Sequence, residues 1–258
     1  MRKGLYIPSV RPQSLYKLLN SIQTLEVIKD WNIYVYLQCY SYSDHAYLMN
    51  NYGHMISGSI VSSKRVAPYV ARCELMKAYP SDIYCMNDDD AIMMDKVNYE
   101  APVEFLLENR NAGMISTNWV RVNTEKMMAR KRYEHKFLKQ NLVNTGGGLI
   151  FRHDVADSVL GKVIKPYLYD DIMLSLNAYI SGYKNYRYLG SIIEHNAVMN
   201  GGIKTLYKEQ EMCLLDERLI DMHPTTEIYP HKNNNYHMPT SKNLTEKAHK
   251  LHKMYADL

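Results

Sequence analysis

The sequence predicts an α/β protein built on one mixed but mostly parallel central sheet flanked by helices. Short β-branched and aromatic runs alternate with amphipathic stretches through the first half of the chain, the pattern of successive βα units. The length of 258 residues suits one large domain, and 46% hydrophobic content supports a full core. No internal repeat or interdomain linker interrupts the pattern, so a single Rossmann-like domain is expected over 1–230, in two halves (1–117 and 118–230). A basic tail follows over 231–258.

In chain order, a strand is expected over 4–8. A helix over 13–25 comes next, with Leu15, Leu18, Leu19 and Ile22 on one face. The run Asn-Ile-Tyr-Val-Tyr-Leu-Gln predicts a strand over 32–38. A helix over 43–51, a short strand near 56–61 and a helix over 66–78 follow. Pro80-Ser81 separates that helix from the strand Ile83-Tyr84-Cys85-Met86-Asn87. A helix over 103–109 and a strand over 113–117 complete the regular half. Beyond Trp119 come a basic insert, Gly146-Gly147-Gly148 and the apolar Leu149-Ile150-Phe151. A helix over 170–181 stops at Gly182, a residue favoured just past a helix end. A strand over 186–193 and, after a loop-rich stretch, a helix over 244–255 close the chain.

Charge is unevenly spread. Within a total of +4, residues 121–140 carry seven Lys or Arg against two Glu, and the tail five Lys against two acids and four His. A basic insert on a mildly acidic body is either a solvated helix face or the footprint of an anionic partner. Arg130, Lys131, Arg132 and Lys136 are its core, with Tyr133 and Phe137 as candidate stacking groups. No stretch approaches the roughly 18 apolar residues of a membrane span, and the N-terminus reads as a strand rather than a signal peptide. Cys39, Cys73, Cys85 and Cys213 are scattered beside apolar segments, so buried thiols in a reducing cytoplasm are expected.

The chemistry centres on Asp88, Asp89 and Asp90, which close the fourth strand. Adjacent carboxylates repel unless a cation or a donor-rich ligand neutralises them. The triplet is therefore a solvated acidic turn or a site for a hard, oxygen-preferring ion such as Mg²⁺ or Mn²⁺. If the strand end stays extended, alternate carboxylates point to opposite sides. Asp170-Asp171 opens a helix, where acids also serve as caps. The glycine run is either a tight turn or a place where backbone approaches a ligand.

Taken in order, these pieces resemble a GT-A fold nucleotide-sugar glycosyltransferase of family-2-like arrangement. Ile7-Pro8-Ser9-Val10-Arg11-Pro12 looks like that family's first-strand nucleotide loop, and Ala71-Arg72-Cys73-Glu74-Leu75 like its arginine-bearing helix. Asn87-Asp88-Asp89-Asp90 stands where the Asp-x-Asp motif belongs, with Asp88/Asp90 as the fitting register and Asn87/Asp89 as the other. The glycine run resembles the segment beneath donor and acceptor sugars, and Tyr169-Asp170-Asp171-Ile172 the acidic pair that opens the following helix. Ile192-Ile193-Glu194-His195 looks like the C-terminal metal-binding histidine segment.

The resemblance implies transfer of a sugar from a nucleotide diphosphate to a hydroxyl. It implies Asp171 as general base within the Asp170/Asp171 pair, and nucleotide-sugar contacts from Pro8, Ser9, Arg11, Arg72, Asp88, Asp89, Gly147 and Gly148. It implies Mn²⁺ or Mg²⁺ held by Asp88, Asp90 and His195. The basic insert points to an anionic acceptor, with hydroxymethylated pyrimidines in DNA, as modified by some phages, favoured. A bacterial surface-glycan transferase is the alternative, and a metal-dependent nuclease or a non-catalytic module lies further off. The location expected is cytoplasmic, in the host if the chain is phage-encoded.

Overall fold

Strand residues divide by parity between two cores. Leu5 and Ile7, Ile33, Val35 and Leu37, and Ile83 and Cys85 enter one; Tyr6, Tyr34 and Tyr36, and Tyr84 and Met86 enter the other. Side chains alternate across a strand, so the written alternation of aliphatic and tyrosine residues puts an aliphatic layer on one face and an aromatic layer on the other. Tyr6 lies between Tyr34 and Tyr84, with ring centroids 5.2 Å from each. Its hydroxyl donates to the Tyr79 carbonyl and accepts from Ser81 Oγ at 2.8 Å, so the buried phenol is satisfied.

The computed structural model describes residues 1–93, 97–121, 137–140, 148–160 and 170–195. Its elements are β1 (Lys3–Ser9), α1 (Pro12–Gln23), β2 (Trp31–Gln38), α2 (Tyr42–Tyr52), β3 (Ile56–Ser62) and α3 (Pro68–Ala78). Then come β4 (Ile83–Met86), β5 (Ala91–Met93), α4 (Glu100–Glu108), β6 (Ala112–Arg121) and β7 (Phe137–Gln140). β8 (Leu149–Arg152), α5 (His153–Val159), α6 (Asp170–Ile180) and β9 (Lys184–His195) complete the set. The sheet order is β3-β2-β1-β4-β8-β6-β9-β5, with β7 also on β9. β1 to β4 run parallel; β8 is antiparallel between β4 and β6, and β6 and β9 are parallel.

Every helix and strand expected before residue 118 is present, with shifted ends. α3 starts at Pro68, whose missing N–H costs nothing in a helix's first turn. α4 starts at Glu100 rather than 103 because Pro102 is likewise tolerated in the first turn. β4 ends at Met86, and the aspartates leave the strand altogether. β5, β7 and α5 are additional: β5 and β7 are three and four residues long and are held by pairing with opposite halves of β9's outer edge. β7 also corrects the reading of Phe137, which stacks on Phe105 at 4.1 Å and on Tyr188 at 4.7 Å. It is a packing residue. The expected helix over 244–255, the 230/231 boundary and Cys213 lie outside the described residues, and Cys39 is exposed rather than buried. Among the described residues no helix is long and apolar enough to cross a membrane.

Topology positions the site. β1 is flanked by β2 on one side and β4 on the other, all parallel, so the connections from β1 and β4 leave toward different directions of the sheet. Ligands of open α/β sheets sit in the crevice outside the carboxyl ends of strands at such a switch point. Ser9, Tyr40 and Asn87 follow or close those strand ends.

Candidate active site

Asp88 to Ala91 form a turn closed by the Ala91 N–H donating to the Asp88 carbonyl at 3.2 Å, with Asp89 and Asp90 at its centre. The extended strand end on which alternation was expected is therefore replaced by a turn that brings two successive carboxylates to one arginine. Arg11 donates from Nη2 to Asp89 Oδ1 and reaches Asp90 Oδ2 from Nη1 at 3.1 Å. Asp89 is 3% exposed and Asp90 7%. Asp88, the first acid, is half-exposed and receives Arg72 Nη2 at 2.5 Å; Arg72 itself is buried on α3.

Ser9 ties the turn to β1. Its hydroxyl donates to Asp89 Oδ2 at 2.8 Å, so the Tyr40 hydroxyl, also 2.8 Å away, is the donor toward Ser9. Both Asp89 oxygens are thus held by protein groups. On the other side Asn87 anchors the turn through its N–H to the Tyr6 carbonyl and its side-chain amide to the Tyr99 hydroxyl, each at 3.1 Å. Burial pushes the Asp89 carboxyl up from the ordinary carboxylate range, against the pull of Arg11 and Ser9. Burial also works against the Arg11 charge, yet the Asp89 hydrogen bond and the two carboxylates outweigh it and hold the guanidinium charged. Burial raises the Tyr40 hydroxyl as well, keeping it a neutral donor to Ser9.

The second half of the sheet meets this turn through register. β9 pairs with β5 so that His195 stands opposite Ala91, one residue after Asp90. On its other edge β9 pairs with β6, and Arg121, where the basic insert begins, stands opposite the same His195. Gly148 adopts φ +71, and a Cβ there would meet Thr117 Oγ1 at 2.6 Å and Ile193 Cδ1 at 2.9 Å. Glycine is required at this position by the backbone and by the packing of β6 and β9. Asp170 and Asp171 open α6, which packs on β6 and β9, and the Asp171 side chain is half-buried.

The predicted residues therefore divide. Ser9, Arg11, Arg72, Asp88, Asp89 and Asp90 converge on one cluster, and the His195 backbone lies opposite Ala91, next in sequence to it. Pro8 is a buried strand residue of β1 beside it. Gly147, Arg130, Lys131, Arg132 and Lys136 lie outside the described residues. Tyr40 and Tyr99 were absent from the sequence reading, and Asn87 entered it only through the alternative Asn87/Asp89 register. Tyr40's place just past a parallel strand's carboxyl end is the one signal that marks it.

Carboxylate oxygens such as those of Asp88 and Asp90 suit Mg²⁺ or Mn²⁺. Among the described residues no three His, Cys, Asp or Glu side chains converge as a complete metal site. A divalent ion here would be completed by His195, whose side chain is outside that set, and by oxygens of a bound ligand. The donor types fit, and the two arginines beside them suit phosphate.

No protein-family model and no curated protein matches the chain. Solved structures do. Staphylococcus aureus TarS 1–349 in complex with UDP-GlcNAc superposes with a TM-score of 0.63 at 13% identity, over 86% of this chain and 66% of that one. The mannosyltransferase PcManGT from Pyrobaculum calidifontis, in complex with GDP-Man and Mn²⁺, gives 0.63 at 11% identity, over 99% and 72%. GalNAc-T7 with UDP, GalNAc and Mn²⁺ gives 0.60 at 11%, over 76% of this chain and 44% of that one. At these identities the likeness is one of architecture, and it agrees with the mixed sheet and its switch-point crevice: this chain has the GT-A fold of nucleotide-sugar glycosyltransferases.

Proposed function

We propose that the protein is a metal-dependent glycosyltransferase that moves a sugar from a nucleotide diphosphate to a hydroxyl acceptor. The observation that carries this reading is the arginine–carboxylate cluster at the switch point of a GT-A sheet: Arg11 on Asp89 and Asp90, Arg72 on Asp88. Arg11 and Arg72 are the groups that would grip diphosphate oxygens, with Ser9 and Asp89 shaping the nucleotide side and Gly147 and Gly148 the sugar side. Asp88, Asp90 and His195 would hold Mn²⁺ or Mg²⁺, which when bound stabilises negative charge on the departing diphosphate. Asp171, half-buried at the start of α6 beside Asp170, is the base that takes the acceptor hydroxyl proton.

For the acceptor, a hydroxymethylated pyrimidine in DNA is the reading that the basic insert favours. That segment holds a net +5 and begins at Arg121, a register partner of His195. Lys and Arg neutralising phosphates supply DNA affinity, which makes it fall with salt. The test is a thermal-shift screen of nucleotide sugars with Mn²⁺, followed by transfer to hydroxymethylated DNA and to glycans. Stabilisation by a UDP- or GDP-sugar and salt-sensitive labelling of DNA are expected. No stabilisation by any nucleotide sugar would overturn the donor assignment. Transfer to glycan but not DNA would replace the acceptor with a surface polysaccharide.

A further inference from the structure

Arg11 stands where a divalent ion would have to compete. One guanidinium spans two carboxylates, taking Asp89 Oδ1 with Nη2 and Asp90 Oδ2 with Nη1 at 3.1 Å. Asp89 is anchored by Ser9, which Tyr40 holds in turn, so it is committed to the protein. Asp90 is the acid proposed above for the metal, and Arg11 reaches its Oδ2. Arg11 is also more exposed than the pair it spans: its side chain is 42% accessible, against 3% for Asp89 and 7% for Asp90. It sits between β1 and α1.

Electrostatics set the order of events. Among the described residues, three carboxylates and two arginines leave the cluster one net negative charge, half of what a divalent cation needs. A cation placed at Asp90 would also sit beside the guanidinium and repel it. A diphosphate changes both conditions, because its oxygens offer the planar fork of arginine a new bidentate partner and add negative charge next to the ion.

We propose that Arg11 is a resident counter-cation that occupies the Asp89–Asp90 pair and is drawn off by the donor diphosphate, so that metal and nucleotide load together. The proposal rests on the donor reading above. Each ligand raises the affinity of the other by the same factor, as linkage demands.

Binding of Mn²⁺ to the full chain, followed by the paramagnetic resonance signal of the free ion, tests this without any turnover. Wild type should take up Mn²⁺ weakly alone and about tenfold or more tightly with UDP or GDP present. Arg11→Gln should bind Mn²⁺ alone about tenfold more tightly than wild type, and the gain from nucleotide should shrink to below about threefold. Arg11→Lys, which keeps a charge but cannot fork across both acids, should fall between them. An R11Q protein that binds Mn²⁺ alone no more tightly than wild type overturns the proposal. Should R11Q not fold, the Arg11 side-chain nitrogen signals of labelled wild type decide: they should move with Mg²⁺ and UDP or GDP together and stay with Mg²⁺ alone. Signals unmoved by the combination, while the nucleotide binds, overturn it equally. Failure of wild type to bind either nucleotide with metal would instead remove the donor reading, whereas the R11Q comparison with Mn²⁺ alone still reports on the competition.

Discussion

Replacing Asp89 with alanine removes a carboxylate that is 3% exposed and bonded on both oxygens, by Ser9 at 2.8 Å and by Arg11. Hydrogen bonds to a charged group contribute about 1.5–3 kcal/mol each. Two of them give a gross loss of about 3–6 kcal/mol. Part of this returns, because the carboxylate's burial cost disappears with it, and Arg11, being 42% exposed, keeps Asp90 and finds water. A net loss of about 3 kcal/mol follows, at the low end for breaking a buried pair. In a chain of this size that lowers Tm by roughly 6–12 °C. The control is Glu26→Ala, whose partner Lys29 also makes a direct ion pair but where both side chains are largely exposed, at 82% and 62%. That change should cost under about 0.5 kcal/mol. Urea unfolding followed by tryptophan fluorescence reads both. If Asp89→Ala loses less than about 1 kcal/mol, or matches Glu26→Ala, then Asp89 is a solvated ligand acid rather than the anchor of the turn.

Other expectations follow from the same geometry. Gly148→Ala should cost about 2–4 kcal/mol, from the left-handed backbone and from crowding against Thr117 and Ile193; wild-type stability by urea unfolding would contradict the positive φ. Asp171→Asn should lower kcat on the order of 10²-fold with the donor KM unchanged, and a loss below about threefold would assign the base elsewhere. Tyr6, Tyr40, Tyr84 and Tyr99 are all pushed up by burial, so the folded state keeps phenol protons that the unfolded chain releases near pH 10. Stability therefore falls as pH rises past about 10. Phenolate absorbance should show these four ionising together with unfolding, and independent ionisation in the native protein would refute their burial.

Local pattern made the first half legible. Alternating Ile-Tyr-Val-Tyr-Leu and Leu-Tyr-Ile runs specify two-faced strands, and Leu15, Leu18, Leu19 and Ile22 specify α1, because a period of 2 or 3.6 is written in neighbouring residues. All four are buried. The short elements were illegible for the opposite reason. β5 and β7 have too few residues to carry a period and exist because β9, twelve residues long, offers them an edge. Phe137, read as a stacking group within a basic insert, is claimed instead by Phe105 and Tyr188.

The sequence by itself determined the fold class, the order of the chemical groups and the acidic triplet as the centre of the candidate site. Those depend on residue type and spacing, which the chain states directly. What the tertiary structure alone decided is the division of labour among the three aspartates. They are adjacent in sequence and chemically identical, so nothing local distinguishes them. A turn between β4 and β5, Arg72 arriving from α3, and Arg11 and Ser9 from the end of β1 make Asp88 half-exposed, Asp89 anchored and Asp90 shared. Partners from 16 and about 80 residues away set the environment of each carboxylate, and environment is what separates like acids.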